Sequence, residues 1–485
     1  MSEIADISAR ISKKTFLSAA VILLCLLVLS GILTRVVPTG SYLRSTVDGK
    51  VVIDVNSFEY THIPPPAPWR WFTAPFEVMW GDEGAVVVAI VAFFLLSAGA
   101  INIMNKCGIF NYTIARIVHK YEAQKYRLLA VVIFVLMLIA ATTGIADQSI
   151  FLVPVMLPLA YSLGWDALTA LGMSVLAMGF GFAAGLTNPF TIGVAQRIAD
   201  VPLFSGLWFR VLIFIVVYVV YCTFMVNHAK RIERDPKLSP VFSEDVQTRK
   251  GYGDISYEIL DKDDGSLAKA SRFLVGSLAL MLVVSIVCSL IPNMSTYAFP
   301  IITVVFVVGG IGSGIASGTS RAELVGHFLR GLIGISPGAL LTLMAAGVKH
   351  LISTSGILDT IIFAAANRIQ GMPPFFASMM VYMLALFMNF FITSASAKSL
   401  IMMPILAPLS DIVGLTRQVT CLAFQFGDGF SNEIYPTNPI TLISIGLAGV
   451  SYPKWFKWTV WLQLAVLAIT VGFLFIAVAI NLGPV

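Results

Sequence analysis

Long apolar runs separated by short polar connectors make up most of the chain. A helix needs about 20 consecutive apolar residues to cross the hydrocarbon core of a bilayer. Runs of this kind predict spanning helices at residues 15–37, 84–106, 168–196, 205–227, 270–291, 298–318, 334–352, 417–448 and 456–482. The pattern therefore indicates an all-α polytopic membrane protein with about nine spanning helices.

Two further apolar stretches, 127–163 and 374–413, are each interrupted near the middle by a small polar cluster. The interruptions leave arms that are mostly too short to cross a bilayer comfortably. We therefore predict a re-entrant hairpin in each stretch, with two tight spans as the alternative.

The composition agrees with a lipid environment. Of the 485 residues, 58% are hydrophobic and 12% are charged, whereas soluble domains have roughly 45–50% apolar and about 25% charged residues. A soluble multidomain enzyme is therefore excluded, and the small net charge of +5 gives no indication of nucleic-acid binding. The distribution of Lys and Arg predicts a cytoplasmic N-terminus, a cytoplasmic linker at 228–269 and a periplasmic or extracellular C-terminus.

The chain resembles itself at an offset of 250 residues. Identical residues recur in the pairs Thr143 and Thr393, Ser149 and Ser399, Pro154 and Pro404, Gly164 and Gly414, Thr187 and Thr437, and Asn188 and Asn438. The helix at 270–291 is a single crossing between the two halves, so we expect the second half to be upside down relative to the first. We predict two inverted-topology repeats, at 1–227 and 298–485, an arrangement found in many secondary transporters.

Proline follows Thr-Asn in both predicted broken helices, 168–196 and 417–448. Because proline lacks an N–H and disfavours the α conformation in the preceding residue, the helices should open at Asn188 and Asn438. The freed carbonyls and the side chains of the breaks would then bind substrate, a cation such as Na⁺, water or another helix. The candidate side chains for substrate binding are those of Thr187, Asn188, Thr437 and Asn438. A plain proline kink is the alternative.

The tips of the two hairpins are rich in small and hydroxyl-bearing residues, which makes both tips candidates for substrate binding. The candidate residues are Thr143, Gly144 and Ser149 in the first tip and Thr393, Ser394, Ser396 and Ser399 in the second. The helix that starts after each tip can present free N–H groups to an anion. Close helix packing through small residues is the alternative.

Charged residues at membrane depth are costly and point to function. The candidates for ion coupling or charge pairing are Asp147, Lys398, Asp428, Asn432 and Glu433, and Gln425 and Asn389 could line the same cavity. The carboxylates could hold Na⁺, a transported proton or an ammonium group. A structural ion pair between Asp147 and Lys398 is the alternative.

The hydroxyl-rich tips, the Pro-x-x-x-Pro arm and the run Gly-Asp-Gly-Phe-Ser-Asn-Glu-Ile-Tyr-Pro-Thr-Asn-Pro at 427–439 resemble the anaerobic four-carbon dicarboxylate carrier (DcuC) family, YfcC branch, of the ion transporter superfamily. The resemblance implies a homodimer in the bacterial cytoplasmic membrane, with a scaffold domain and a transport domain that works by an elevator mechanism. It also implies that the transport domain holds both hairpins and both broken helices. Some relatives in this branch are labelled basic amino-acid or arginine/ornithine exchangers.

Together these features predict a secondary active transporter for a small carboxylate-bearing solute, either a four-carbon dicarboxylate or an amino acid. Coupling would be to Na⁺ or H⁺, or by antiport of the arginine/ornithine type. We expect neither a cofactor nor a resident metal, and no catalytic residues. A passive channel for small organic ions is the alternative from another class, but a channel would line a continuous pore with rings of one residue type.

Overall fold

The computed structural model describes residues 13–47, 50–54, 56–81, 84–252, 258–261, 263, 265–290 and 295–483. Most of this part of the chain is helical, as the apolar pattern predicts. Up to the linker, the helices are Lys13–Val36, Arg70–Glu77, Gly84–Lys106, Ile109–Tyr121, Lys125–Thr143, Val153–Ser162, Ala167–Ala183, Ile192–Ile198 and Leu207–Arg234. The linker contains Phe242–Tyr252 and Glu258–Asp261, and its residues 253–257, 262 and 264 lie outside the described part. The remaining helices are Ser266–Leu290, Ser295–Ala316, Arg321–Thr354, Ile357–Ile369, Pro374–Phe391, Ala395–Ile412, Arg417–Gly429, Pro439–Leu447 and Tyr452–Ala479.

From Gly84 onward, the order of helices before the linker recurs after Ser320. In each case a long helix is followed by a 13-residue helix, two hairpin arms, a broken helix and a final 28-residue helix. Both 13-residue helices, Ile109–Tyr121 and Ile357–Ile369, were missed from the sequence. Each follows a glycine, Gly108 or Gly356, with a positive φ of 74°. This recurrence agrees with an internal repeat, and the inverted orientation of the two halves stays a prediction.

Six described helices are long and apolar enough to cross a membrane, or seven if the bent pair Arg321–Gly334 and Ser336–Thr354 counts as one span. The sequence predicted about nine, and two of those, 168–196 and 417–448, are broken helices. Two of the six, Lys125–Thr143 and Pro374–Phe391, are the first arms of the predicted hairpins. The expectation that these arms are too short to cross was therefore wrong for them, and the re-entrant course of the hairpins stays a prediction. The predicted span at 334–352 is the second part of the long helix Arg321–Thr354. Its 41° bend lies beside Pro337, which removes a helical hydrogen bond. Large apolar side chains such as Leu212 and Val219 are exposed, as expected for lipid-facing surfaces.

Two groups of helices can be distinguished by their packing. The long-helix group consists of Lys13–Val36, Gly84–Lys106, Ser266–Leu290, Ser295–Ala316 and Arg321–Thr354, which contact one another. The hairpin group consists of the first hairpin (Lys125–Ser162), the second hairpin (Pro374–Ile412) and the two broken helices. Within it the arm Ala395–Ile412 packs on Ile192–Ile198 of the first broken helix, so the two halves of the chain interlock.

Short polar elements lie outside these groups. Strand Gly40–Ser41 pairs with Glu59–Tyr60, and strand Arg44–Val47 pairs with Lys50–Ile53, both antiparallel. The linker helix Phe242–Tyr252 is tied to the end of the first hairpin, because Asp245 accepts hydrogen bonds from the Tyr161 hydroxyl at 3.0 Å and from the N–H of Ala167 at 3.3 Å.

Candidate functional site

Both broken helices are interrupted at the Thr-Asn-Pro sequence. The first stops at Ala183 and resumes at Ile192, and the second stops at Gly429 and resumes at Pro439. We call residues 184–191 the first break and residues 430–438 the second break. Both breaks contain the asparagine at which proline was expected to open the helix, Asn188 or Asn438. The second break begins eight residues before Asn438, which is farther than the effect of the proline reaches.

Asn188 and Asn438 hold their breaks in the same way. The side-chain oxygen of Asn188 accepts a hydrogen bond from the N–H of Phe190 at 2.9 Å, and its amide nitrogen donates to the carbonyl of Phe182 at 3.2 Å. Asn438 makes the same two bonds, two residues ahead and six residues back, at 3.0 Å each. Because both side chains are buried and bonded to backbone groups, they fix the shape of the breaks.

The two threonines of the breaks differ in their partners. The hydroxyl of Thr187 donates to the carbonyl of Thr142 at 3.0 Å, and the N–H groups of Leu186 and Thr187 both reach the carbonyl of Ala141. The first break is therefore bonded directly to the first hairpin. Thr437 is also buried, but its hydroxyl oxygen has no hydrogen-bond partner within the described residues.

The first tip, residues 142–149, is shaped by a glycine. Gly144 has a positive φ of 72° and ends the helix Lys125–Thr143. The Thr143 hydroxyl is bonded back to the carbonyl of Ile139 at 2.7 Å. Ser149 is buried in the short 3₁₀ turn Asp147–Phe151 that begins the second arm.

Replacing Gly144 with Ala should lower the melting temperature markedly. A left-handed conformation costs an L-residue about 1–2 kcal/mol, and a Cβ at this position would lie 2.3 Å from Oδ1 of Asn188. Gly164 provides a matched control, since its φ is 82° and nothing lies within 4 Å of the position of a Cβ. Gly164→Ala should therefore cost less, and equal losses in a thermal melt would contradict a specific contact between Gly144 and Asn188.

The second tip, residues 393–399, contains the capped start of a helix. Ser394 is exposed, and its hydroxyl accepts a hydrogen bond from the N–H of Ala397 at 3.4 Å, which caps the helix Ala395–Ile412. Thr393 is half-buried beside it. Ser399 is buried and bonded within the helix. The start of this helix therefore combines accessible hydroxyls with the N–H groups that every helix N-terminus leaves unpaired.

The two tips meet. Ile145 of the first tip and Ala395 of the second lie in one apolar cluster with Phe182. The Ser396 hydroxyl donates to the carbonyl of Phe190 in the first break at 3.1 Å. We call the region formed by both tips and both breaks the central junction.

A buried ion pair joins the second hairpin to the second broken helix. Nζ of Lys398 lies 2.6 Å from Oδ1 of Asp428, and both side chains are 0% exposed. The ammonium also donates to the side-chain oxygen of Asn389, whose amide nitrogen donates to Oδ1 of Asn432 at 2.9 Å. Lys398 therefore pairs with Asp428 rather than with Asp147.

Glu433 and Asp147 have a different environment. Glu433 is 5% exposed, and its Oε2 accepts a hydrogen bond from the Thr441 hydroxyl at 3.0 Å. Asp147 is exposed and lies near enough to Glu433 for the two negative charges to repel. Neither carboxylate has an ion-pair partner in the part of the chain that the structure describes. The central junction thus brings together two carboxylates without a counter-charge.

Sequence reasoning missed the residues that hold Glu433. The indole N–H of Trp455 donates to the Glu433 backbone carbonyl at 2.7 Å. Gly179 leaves room for the carboxylate, because a Cβ there would lie 2.3 Å from Oε1. Gly179 and Thr441 could have been found from the sequence, because each is identical to the residue 250 positions away. Gly179 corresponds to Gly429, and Thr441 corresponds to Thr191. Trp455 gave no such signal.

Known proteins resemble this chain over most of its length. A relative in Escherichia coli K12, named "Putative basic amino acid antiporter YfcC", is 28% identical over 90% of this chain and 91% of its own. An "Uncharacterized protein" of Haemophilus influenzae is 25% identical over 77% and 72%. The structure of the Alcanivorax borkumensis YdaH transporter matches with a TM-score of 0.43 and 16% identity, over 97% of this chain and 100% of the other.

The family model described as "C4-dicarboxylate anaerobic carrier" matches residues 16–479. Several helices are long and apolar enough to cross a membrane. This chain, a multi-pass membrane protein, belongs to the DcuC family of transporters.

Proposed function

We propose that the protein is a secondary active transporter for an amino acid, and that a basic amino acid is the favoured substrate. The observation that supports this proposal is the pair of carboxylates, Asp147 and Glu433, with no cationic partner within the described residues. Such a pair attracts an ammonium or guanidinium group. The N-terminus of Ala395–Ile412, with the hydroxyls of Thr393 and Ser394, offers donors for the carboxylate of the same molecule.

A four-carbon dicarboxylate, the substrate class in the family's description, is the second candidate. The two tips contain one cationic side chain, Lys398, and its charge is used by Asp428. A dianion at the junction would meet the charges of Asp147 and Glu433 without compensation. The charge of the site therefore favours an amino acid, and the name of the Escherichia coli relative adds basic amino acids and exchange.

The proposal includes a homodimer in which the hairpin group moves as a transport domain against the long-helix group as a scaffold. The interlocking of the two hairpins with both broken helices supports one moving unit, because a break and a tip that are bonded together cannot separate easily. In this arrangement the N-terminus is cytoplasmic and the C-terminus periplasmic or extracellular.

The test is arginine binding and exchange by purified protein. Asp147→Asn and Glu433→Gln should each weaken arginine binding by about 10-fold or more, since a hydrogen bond to a charged group contributes about 1.5–3 kcal/mol. Asp411→Asn is the matched control, because Asp411 lies at the far end of the second hairpin and pairs with Arg417. Unchanged affinity in both site variants, or binding of succinate but not arginine, would contradict the proposal.

Counterflow in proteoliposomes separates a transporter from a channel. Unlabelled arginine inside the vesicles should drive uphill accumulation of labelled arginine, which a passive pore cannot do.

A further inference from the structure

At the first break, side chains donate to backbone carbonyls that a cation could otherwise bind. The amide nitrogen of Gln425 donates to the carbonyls of Ala183 and Gly185 at 3.0 and 2.9 Å. The buried Arg210 donates through Nε to the carbonyl of Leu186 at 3.0 Å. Opened backbone of this kind is where transporters commonly coordinate Na⁺. Here side chains from two other helices occupy these carbonyls.

At the second break, too, side chains occupy backbone carbonyls. Side chains donate to three successive backbone carbonyls of this break. Asn438 donates to the carbonyl of Asn432 at 3.0 Å, and Trp455 donates to that of Glu433 at 2.7 Å. Tyr452 donates to the carbonyl of Ile434 at 2.6 Å. Within the described residues, no group of three His, Cys, Asp or Glu side chains could hold a metal ion. Three successive carbonyls of this break are therefore satisfied by side chains of the protein itself.

A cation is nevertheless present at the second tip, and it is the ammonium of Lys398. Oxygens from two other helices converge on it, the carboxylate of Asp428 on the second broken helix and the amide oxygen of Asn389 on the first arm. Lys349 of the long helix is near enough to repel Lys398. The second carboxylate oxygen of Asp428 is buried and has no hydrogen-bond partner in the part of the chain described.

We propose that the Lys398 ammonium is the fixed cation of this site and occupies the place where a coupling Na⁺ would otherwise bind. The carboxylate and amide oxygens around it are ligands that Na⁺ would also use, and the tethered ammonium joins its own helix to the two helices that supply these oxygens. The consequence is a second tip that closes without an inorganic cation. This inference rests on the proposed transport function and narrows its coupling to protons or exchange.

The experiment compares the melting temperatures of purified wild type, Lys398→Ala and the double variant Lys398→Ala/Asp428→Asn. Each protein is melted in NaCl, methylammonium chloride and choline chloride at equal ionic strength. Wild type should melt at the same temperature in all three salts. Lys398→Ala should melt lower in choline and regain most of the loss in Na⁺ or methylammonium, which fit the vacated space and bind the folded state. The double variant, without the Asp428 charge, should not distinguish the salts.

A higher melting temperature of wild type in NaCl than in choline would overturn the proposal. A folded Lys398→Ala protein that responds equally to all three salts would also overturn it. If Lys398→Ala yields no folded protein, the comparison of wild type in NaCl and choline decides alone. These melts need no uptake, whereas failure of the transport proposal would show as wild-type vesicles without counterflow of arginine or succinate.

Discussion

Uptake should be abolished when Asn438 is replaced by Ala, and the same result is expected for Asn188→Ala. Each substitution removes two hydrogen bonds that hold a break, and so leaves one backbone N–H without its partner and one carbonyl with one donor fewer. A buried polar group left unpaired costs about 1–3 kcal/mol. The first break is bonded to both tips, through Thr187 to the first and through Phe190 to the second, so a change in its shape displaces groups of both. The second break is bonded to Asn389, which holds the ammonium of the second tip. The measurement is uptake of labelled arginine into proteoliposomes, with the folded state checked by size-exclusion chromatography.

Asn102 provides the control for these variants. It is also buried, and its amide nitrogen donates to the carbonyl of His327 at 2.7 Å, but it lies in the long-helix group. Asn102→Ala should lower the melting temperature and retain uptake. Undiminished uptake in both Asn188→Ala and Asn438→Ala would show that transport does not depend on the bracing of the breaks.

The breaks could be predicted from sequence because their cause is local. Proline determines where a helix must open, and its effect reaches only the preceding residue and the turn before it. The recurrence of Thr-Asn-Pro at an offset of 250 residues then separated these positions from ordinary kinks. The same pattern could not show that Asn188 and Asn438 bond to carbonyls six residues back, since that bond depends on how the opened chain folds.

The partners of the charged residues could not be predicted for a related reason. Lys398 and Asp428 are 30 residues apart, and Asp147 was an equally good candidate by hydropathy alone. Which of these two aspartates pairs with Lys398 depends on which helices pack together. Many arrangements of apolar helices bury similar amounts of surface, so the sequence pattern does not select one of them. The 13-residue helices, Ile109–Tyr121 and Ile357–Ile369, were missed because they are shorter than the length that indicates a span.

The three carboxylates of the junction have separate roles in our proposals. Asp428 is paired with a lysine of the protein, whereas Asp147 and Glu433 have no cationic partner within the described residues. Because the first tip contains Gln148 at the position equivalent to Lys398, the fixed cation exists on one side only. The internal repeat therefore supplies a symmetric backbone, and the charges make the site asymmetric, as an amino acid with two unlike ends requires.

Removing only the carboxylate of Asp428 should be among the most destabilising changes in the junction. Asp428→Leu leaves the ammonium of Lys398, which is 0% exposed, without a counter-charge. Breaking a buried ion pair in this way costs about 3–5 kcal/mol. The expected result is a large fall in melting temperature, or loss of the monodisperse peak in size-exclusion chromatography.

The double variant Lys398→Met/Asp428→Leu should recover most of this loss, because apolar residues of similar volume often replace a buried pair at little cost. A deficit of about 1 kcal/mol should remain, since the oxygen of Asn389 loses its donor. The exposed pair Arg417–Asp411 is the matched control, and Asp411→Leu there should cost no more than about 1 kcal/mol. If the double variant melts no higher than Asp428→Leu, the unpaired charge is not the cause of the instability. In that case the loss must come from the shape of the Asp428 side chain, because the double variant restores neutrality but not that shape.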